Sequence, residues 1–147
     1  MSFSHPWRGI ATLMLIIIVA PPIFVAVAAI MGHPPMGRQF LFELGELARR
    51  RIVPQIMPGY SYYMPPAFIA AAWCAYHTAR GRALTLGGLI GRMVAAGLIC
   101  EAIYQLFVGL YGGHFRPDII MVDFVQWIIA GFICWIIARW LGLAGSA

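Results

Sequence analysis

MVAAGLICEAIYQLFVGLY, residues 93–111, decides how this chain is read. It is apolar over the length a spanning helix requires, about 20 residues, yet Glu101 sits near its centre. A carboxylate at that depth is costly in lipid, so it needs either a partner or a purpose. The other apolar runs read as walls around it.

Working outward, comparable runs occupy residues 9–31, 56–79 and 119–141. The expected fold is an all-α membrane protein, a four-transmembrane-helix bundle forming one integral membrane domain over residues 1–147. Composition agrees: 62% of residues are hydrophobic and 10% charged, where soluble chains carry roughly a quarter charged. A soluble protein this apolar would expose large sticky patches, so lipid is the expected solvent. The net charge of +5 comes from arginine alone. These arginines cluster at the ends of apolar runs, which favours topology and headgroup contacts over nucleic acid.

Within residues 9–31, Ala26-Val27-Ala28 imitates a signal-peptidase site. The run exceeds a usual signal core and its flank is weakly basic, so a retained first span is expected. Pro21 and Pro22 should kink or break it, freeing the carbonyls of Ile17 and Ile18 four residues back. Residues 32–37, with Pro34 and Pro35, read as a turn.

Residues 38–52 are too polar to cross. On a helical wheel Phe40, Leu41, Leu44, Leu47, Ala48 and Ile52 share one side, while Gln39, Glu43, Glu46 and Arg50 share the other. An interfacial amphipathic helix in the headgroup plane is expected there, with Glu46 pairing to Arg50. Arg49, Arg50 and Arg51 should end it before Pro54 and contact anionic headgroups.

The second run enters through Tyr60, Tyr62 and Tyr63, as interfacial belts do. Pro65 and Pro66 interrupt it, Ala67, Ala71 and Ala75 make a small-residue ridge, and Arg80-Gly81-Arg82 closes it. Residues 83–92 read as a glycine-rich connection, in which Gly87 and Gly91 begin a second ridge with Ala95. Gly112-Gly113 stops the third run, and Asp118 should cap the fourth.

One side of the bundle holds Arg8, Arg80, Arg82, Arg92 and Arg139; the other holds Arg38, Arg49, Arg50, Arg51 and Arg116 with most of the acids. Acids count for little in the positive-inside rule, so both termini are expected in the cytoplasm. The format resembles that of small bacterial inner-membrane proteins, which sets the expected location.

Depths can be compared from the helical rise. Glu101 lies roughly 15 Å from the end of its run, and the two Pro-Pro pairs fall at about the same level. Gly97, Glu101, Tyr104 and Gln105 share a face, as do Asp123, Gln126, Trp127, Ala130 and Cys134. If these faces meet, Gln105 opposes Asp123 and Gln126, while Glu101 looks across at Ala130 and the kinks. Tyr62 or Tyr63 can add a hydroxyl. No arginine shares the depth of Glu101, so a neutral Glu101 donating to a proline-freed carbonyl is one reading. A proton or cation site facing a vestibule is the other.

Cys74, Cys100 and Cys134 each lie alone in an apolar run and read as buried free thiols. Cys74 and His77 are spaced i,i+3, but no third ligand appears at matching depth, so no metal or other cofactor is expected. His5, His33 and His114 fall in termini or turns, which gives no facing pair for haem. Hydrolase, metalloprotease, phosphate-loop and dinucleotide signatures are absent, and no enzyme is expected. The favoured reading is a structural, accessory or assembly subunit of a larger membrane complex or a homo-oligomer. The alternative is a small proton-coupled transporter or channel centred on Glu101.

Overall fold

The computed structural model describes residues 5–32, 40–113 and 117–144, with side chains omitted for 117–119. The chain is helical: α1 (Pro6–Gly32), α2 (Phe40–Leu47), α3 (Val53–Ala79), α4 (Leu86–Leu110) and α5 (Pro117–Trp140), with a π-helical turn over Ala48–Ile52. The four long helices pack in a ring, α1 against α3, α3 against α4, α4 against α5 and α5 against α1, with the most extensive seam between α1 and α3.

Three of these helices, α1, α4 and α5, are long and apolar enough to cross a membrane. This corrects the expectation of four spans plus a separate in-plane helix. Helix α3 matches α1 in length, 27 residues each, but Pro58, Gly59, Ser61, Pro65, Pro66, His77 and a set of tyrosines dilute its apolar character. The supposed in-plane helix has no end of its own. Backbone angles stay helical at Leu47, Ile52 and Val53, and the Val53 N–H bonds the Ala48 carbonyl five residues back. Pro54 therefore does not stop the chain. It lies in the first turn of α3, where a missing N–H costs little, and the widened π turn makes room for its ring.

Neither Pro-Pro pair breaks its helix; α1 is continuous through Pro21 and Pro22, and α3 through Pro65 and Pro66. The third run also starts earlier than its composition suggests. Thr85, extended in backbone, accepts a hydrogen bond from the Gly88 N–H at 3.2 Å, so α4 begins at Leu86 and absorbs three glycines from the supposed connection. The expected turns over 33–37 and 114–116, with Arg38, Gln39, His33, His114 and Arg116, lie outside the described residues, as does the Asp118 side chain.

Three helices end alike. Gly81, Gly112 and Gly142 adopt φ of 77°, 79° and 68°, a region that favours glycine. The residue after each reaches back to the carbonyl five residues earlier: Arg82 to His77 (3.1 Å), Gly113 to Val108 (2.8 Å) and Leu143 to Ala138 (2.8 Å). These are Schellman closures, which satisfy carbonyls that would otherwise be orphaned in an apolar medium.

The core is built from small side chains. Ala20, Ala67, Ala70, Ala71, Ala96, Ala130 and Ala138 are buried with Phe24, Ile16, Leu89 and Met93, so backbones approach closely. Gly9 packs on the Ala75 carbonyl, where a Cβ would fall 2.9 Å from that oxygen. Many large apolar residues face outward instead; Leu110 is 72% exposed and Leu106 64%. That surface suits lipid, and the fold is that of an all-α, multi-pass membrane protein.

One end of the ring gathers distant parts of the chain. The His5 N–H bonds the Ala79 carbonyl at 3.0 Å, and Arg8 donates to the Gly142 carbonyl at 2.8 Å. Leu84 bridges Ala144. Arginines stack on aromatic rings around this end: Arg80 on Tyr76 (4.1 Å), Arg139 on Trp135 (5.4 Å) and Arg92 on Trp73 (5.9 Å). Long stems lie along apolar surface while their heads find π faces.

Candidate functional site

The register between α4 and α5 places the polar residues. Gly97 abuts the Trp127 indole so closely that a Cβ would enter the ring, and Gly131 sits against Ile90. Both contacts fix an antiparallel register that brings Glu101 level with Asp123. The expected pairing of Glu101 with Ala130, and of Gln105 with Asp123, is thereby corrected. That pairing counts depth from Tyr111 at the end of the run, whereas the offset between the helices is set by Gly97 against Trp127.

Glu101 and Asp123 are each only 9% exposed. Both line a cleft of about 530 Å³ between α3 and α4, whose inner wall is α5. Pro65, Pro66 and Ile69 form one side, Ile103 and Phe107 the other, and Tyr62, Tyr63, Tyr104 and Trp127 supply rings. Tyr62 packs edge-on to Tyr63 (4.9 Å) and Tyr104 (6.4 Å), while Phe24 of α1 closes the rear against Trp127 (4.3 Å) and Tyr63 (5.0 Å). The two carboxylates lie near enough for each charge to act on the other. Gln105, one turn along α4, donates its Nε2 to Glu101 Oε1 at 2.6 Å. Gln126, 2% exposed and one turn from Asp123, lies against the Tyr63 hydroxyl. The side-chain oxygens of Gln105 and Gln126 are buried without donors.

The local chemistry is thus rich in acceptors. Every arginine among the described residues lies towards an end of the bundle; Arg92, the nearest on the same helix, is nine residues from Glu101, roughly 13 Å along the axis. Two like charges in a low-dielectric site repel strongly.

No family model, curated protein or solved structure matches this chain. The site must therefore be read from its own chemistry.

The proline-freed carbonyl finds a different partner from the one expected. The Tyr60 hydroxyl donates to the Ile18 carbonyl at 2.6 Å, which is the carbonyl that Pro22 deprives of its helical donor. Glu101 takes no part in that contact, and its bond to Gln105 lies within one helix, so it is not an interhelical clasp through either proline pair. Pro65 and Pro66 do line the cleft beside Glu101, whereas Pro21 and Pro22 do not. The sequence places Tyr60 in an interfacial belt and gives no sign of this hydrogen bond.

Elsewhere, Thr78 and Thr12 form a second buried polar contact between α3 and α1. Thr78 Oγ1 is 3.3 Å from Thr12 Oγ1, whose own hydroxyl donates to the Arg8 carbonyl at 2.8 Å. Cys74 and Cys134 are buried in the core, while His77 lies in the last turn of α3. Partial burial, with the guanidinium groups of Arg92, Arg82 and Arg80, pushes His77 below its ordinary value. Among the described residues no group of three or more His, Cys, Asp or Glu side chains can hold a metal ion. Arg50 pairs with Glu46 at 2.6 Å, as the i,i+4 spacing predicts, and Arg49 reaches the same carboxylate at 3.4 Å. Arg50 and Arg51 line a second cleft, about 620 Å³, between α1 and α3.

Proposed function

We propose that this protein is a small, non-enzymatic, proton-linked carrier or channel component whose working site is the Glu101–Asp123 pair. The observation that carries the reading is the meeting of two buried carboxylates in one cleft, with no described arginine at their depth. A purely structural contact would be served better by neutral side chains, because a buried charge without a partner is destabilising by several kcal/mol. Intramembrane acids that persist are typically parts of ion or proton paths. The expected setting is the bacterial inner membrane. His5, Arg8, Arg80, Gly142 and Ala144 gather at one end of the bundle. A homo-oligomer fits the small volume that four helices enclose, and Arg49, Arg50 and Arg51 suit anionic headgroups at the opposite end.

Proteoliposomes under an imposed pH gradient test this reading. Wild-type protein should dissipate the gradient, while Glu101→Gln and Asp123→Asn should not, with helicity and detergent elution volume retained. Equal flux in either variant would remove the carboxylate pair from the mechanism.

A second reading, an accessory or assembly subunit, draws on the outer half of α4. Beyond Glu101 this helix is largely uncovered through Leu106, Phe107, Leu110 and Tyr111, and Gly87 and Gly91 face open space. Cross-linking and pull-down from native membranes should then recover a partner; a lone monomer would count against it.

A further inference from the structure

We propose that the α3–α4 cleft takes a lipophilic organic cation, a quaternary ammonium or phosphonium centre carrying apolar substituents, in exchange for a proton. This rests on the carboxylate-pair reading and adds the class of substrate.

Size and lining agree with such a ligand. About 530 Å³ falls among sites for drug-sized molecules, which are mostly apolar with a few polar groups that fix orientation. Here the polar groups are two carboxylates, so the complementary ligand bears positive charge. Tyr62, Tyr104 and Trp127 present rings to the same space, and ring faces attract organic cations that have shed their weak hydration. A hard metal ion is a poorer match. Calcium wants six to eight oxygens and magnesium a near-ideal octahedron, typically retaining waters, whereas this cleft is walled by proline, isoleucine and phenylalanine.

The buried amide oxygen of Gln126 is an independent sign. It has no donor, is almost wholly enclosed, and its side chain lies against the hydroxyl of Tyr63, whose ring lines the cleft. A closed structural network would have used that acceptor; a site that receives a positive ligand benefits from leaving it negative in potential.

The mouth faces sideways. Ile69 on one lip is 39% exposed, and Ile103 and Phe107 on the other are 50% and 55%. A ligand already dissolved in the bilayer can enter between them without crossing the arginine-rich ends. The ionisable groups facing the site are Glu101, Tyr104 and Cys100 of α4, Tyr62 and Tyr63 of α3, and Asp123 of α5. Helix α1 offers none at this depth, its one charged residue being Arg8. Charge balance then sets the exchange: one monovalent cation enters as one proton leaves the carboxylate pair to water.

The test uses the full-length protein in mild detergent and tetraphenylphosphonium as the probe, followed by equilibrium binding and intrinsic tryptophan fluorescence. Saturable binding is expected, weakening by about tenfold or more from about pH 8 to about pH 5 as protons compete. About one proton should be released per cation bound. Triphenylphosphine oxide, a neutral analogue, should bind far more weakly, and Glu101→Gln or Asp123→Asn should lower affinity about tenfold or more. Absence of saturable binding, equal binding of the neutral analogue, or affinity independent of pH overturns the proposal. If either variant fails to fold, the pH competition in wild-type protein decides alone. Should tetraphenylphosphonium fail while wild-type liposomes still pass protons, the organic cation falls and the carboxylate reading stands; should both fail, so do both claims.

Discussion

Tyr60→Phe should destabilise the protein only while residue 22 is proline. Pro22 has no N–H, so the Ile18 carbonyl loses its donor four residues on, and the Tyr60 hydroxyl takes its place at 2.6 Å. Deleting that hydroxyl removes a short hydrogen bond and strands an acceptor, which costs about 1–3 kcal/mol in a protein interior. Tyr60 is only half-buried, and hydrogen bonds within membranes average about 0.6 kcal/mol with a maximum near 1.7. The expected loss is therefore about 1–1.5 kcal/mol, close to tenfold in the unfolding equilibrium. Pro22→Ala restores an N–H to the helix, and in that background Tyr60→Phe should cost less than about 0.5 kcal/mol, a coupling that a double-mutant cycle reads directly. Unfolding in mixed micelles of mild detergent and dodecyl sulfate, followed by tryptophan fluorescence, gives the four stabilities. The same penalty in both backgrounds, or none with proline present, would refute the assignment of Tyr60 to the proline-freed carbonyl.

Other substitutions probe the remaining seams. Gly97→Ala places a methyl group inside the Trp127 indole and should destabilise by about 1–3 kcal/mol through overpacking; an unchanged melting temperature would mean that α4 and α5 do not meet in this register. Thr78→Val removes the donor shared among Thr12, Cys74 and Ala75 and should cost about 0.5–1.5 kcal/mol in the same micellar assay. His77 sits below its ordinary value when folded, so the unfolded chain takes up that proton first as pH falls. Stability should be level above about pH 6.5 and decline as pH drops through the folded-state value, and His77→Gln should flatten that slope.

The apolar runs, with their glycine stops, made three crossing helices legible from composition. Glu46 and Arg50 could be paired from spacing alone, and the buried face of α5 follows from periodicity; on α4 Gly97 and Glu101 are buried as expected, but Tyr104 is 48% exposed and the face continues through Met93 and Leu89 instead. The errors have specific physical causes. Gly87, Gly88 and Gly91 weigh against helix locally, but Thr85 caps the segment and packing of Leu89 and Met93 outweighs their propensity. Pro54 resembles a stop, yet proline is as much at home in a first helical turn. Length and aromatic entry suggest a span over residues 56–79, but proline, glycine and polar residues leave too little apolar surface there.

The candidate site was legible by residue and not by arrangement. Glu101, Asp123, Tyr62 and Tyr63 were all visible as unusual residues in apolar surroundings, and all four line one cleft. Which acid faced which depended on the offset between two helices, and that offset is set by Gly97 against Trp127, a contact thirty residues apart in the chain. Long-range ties such as Arg8 to Gly142 leave no local trace at all.

The shared proton of the carboxylate pair is tested most directly by infrared difference spectroscopy between about pH 5 and about pH 8. The wild-type protein should lose a protonated-carboxyl stretch on going to the higher pH. That signal should vanish or shift in Glu101→Gln and in Asp123→Asn alike, because each acid responds to the other. A carboxyl signal that persists unchanged in either variant would mean that the two acids do not act together.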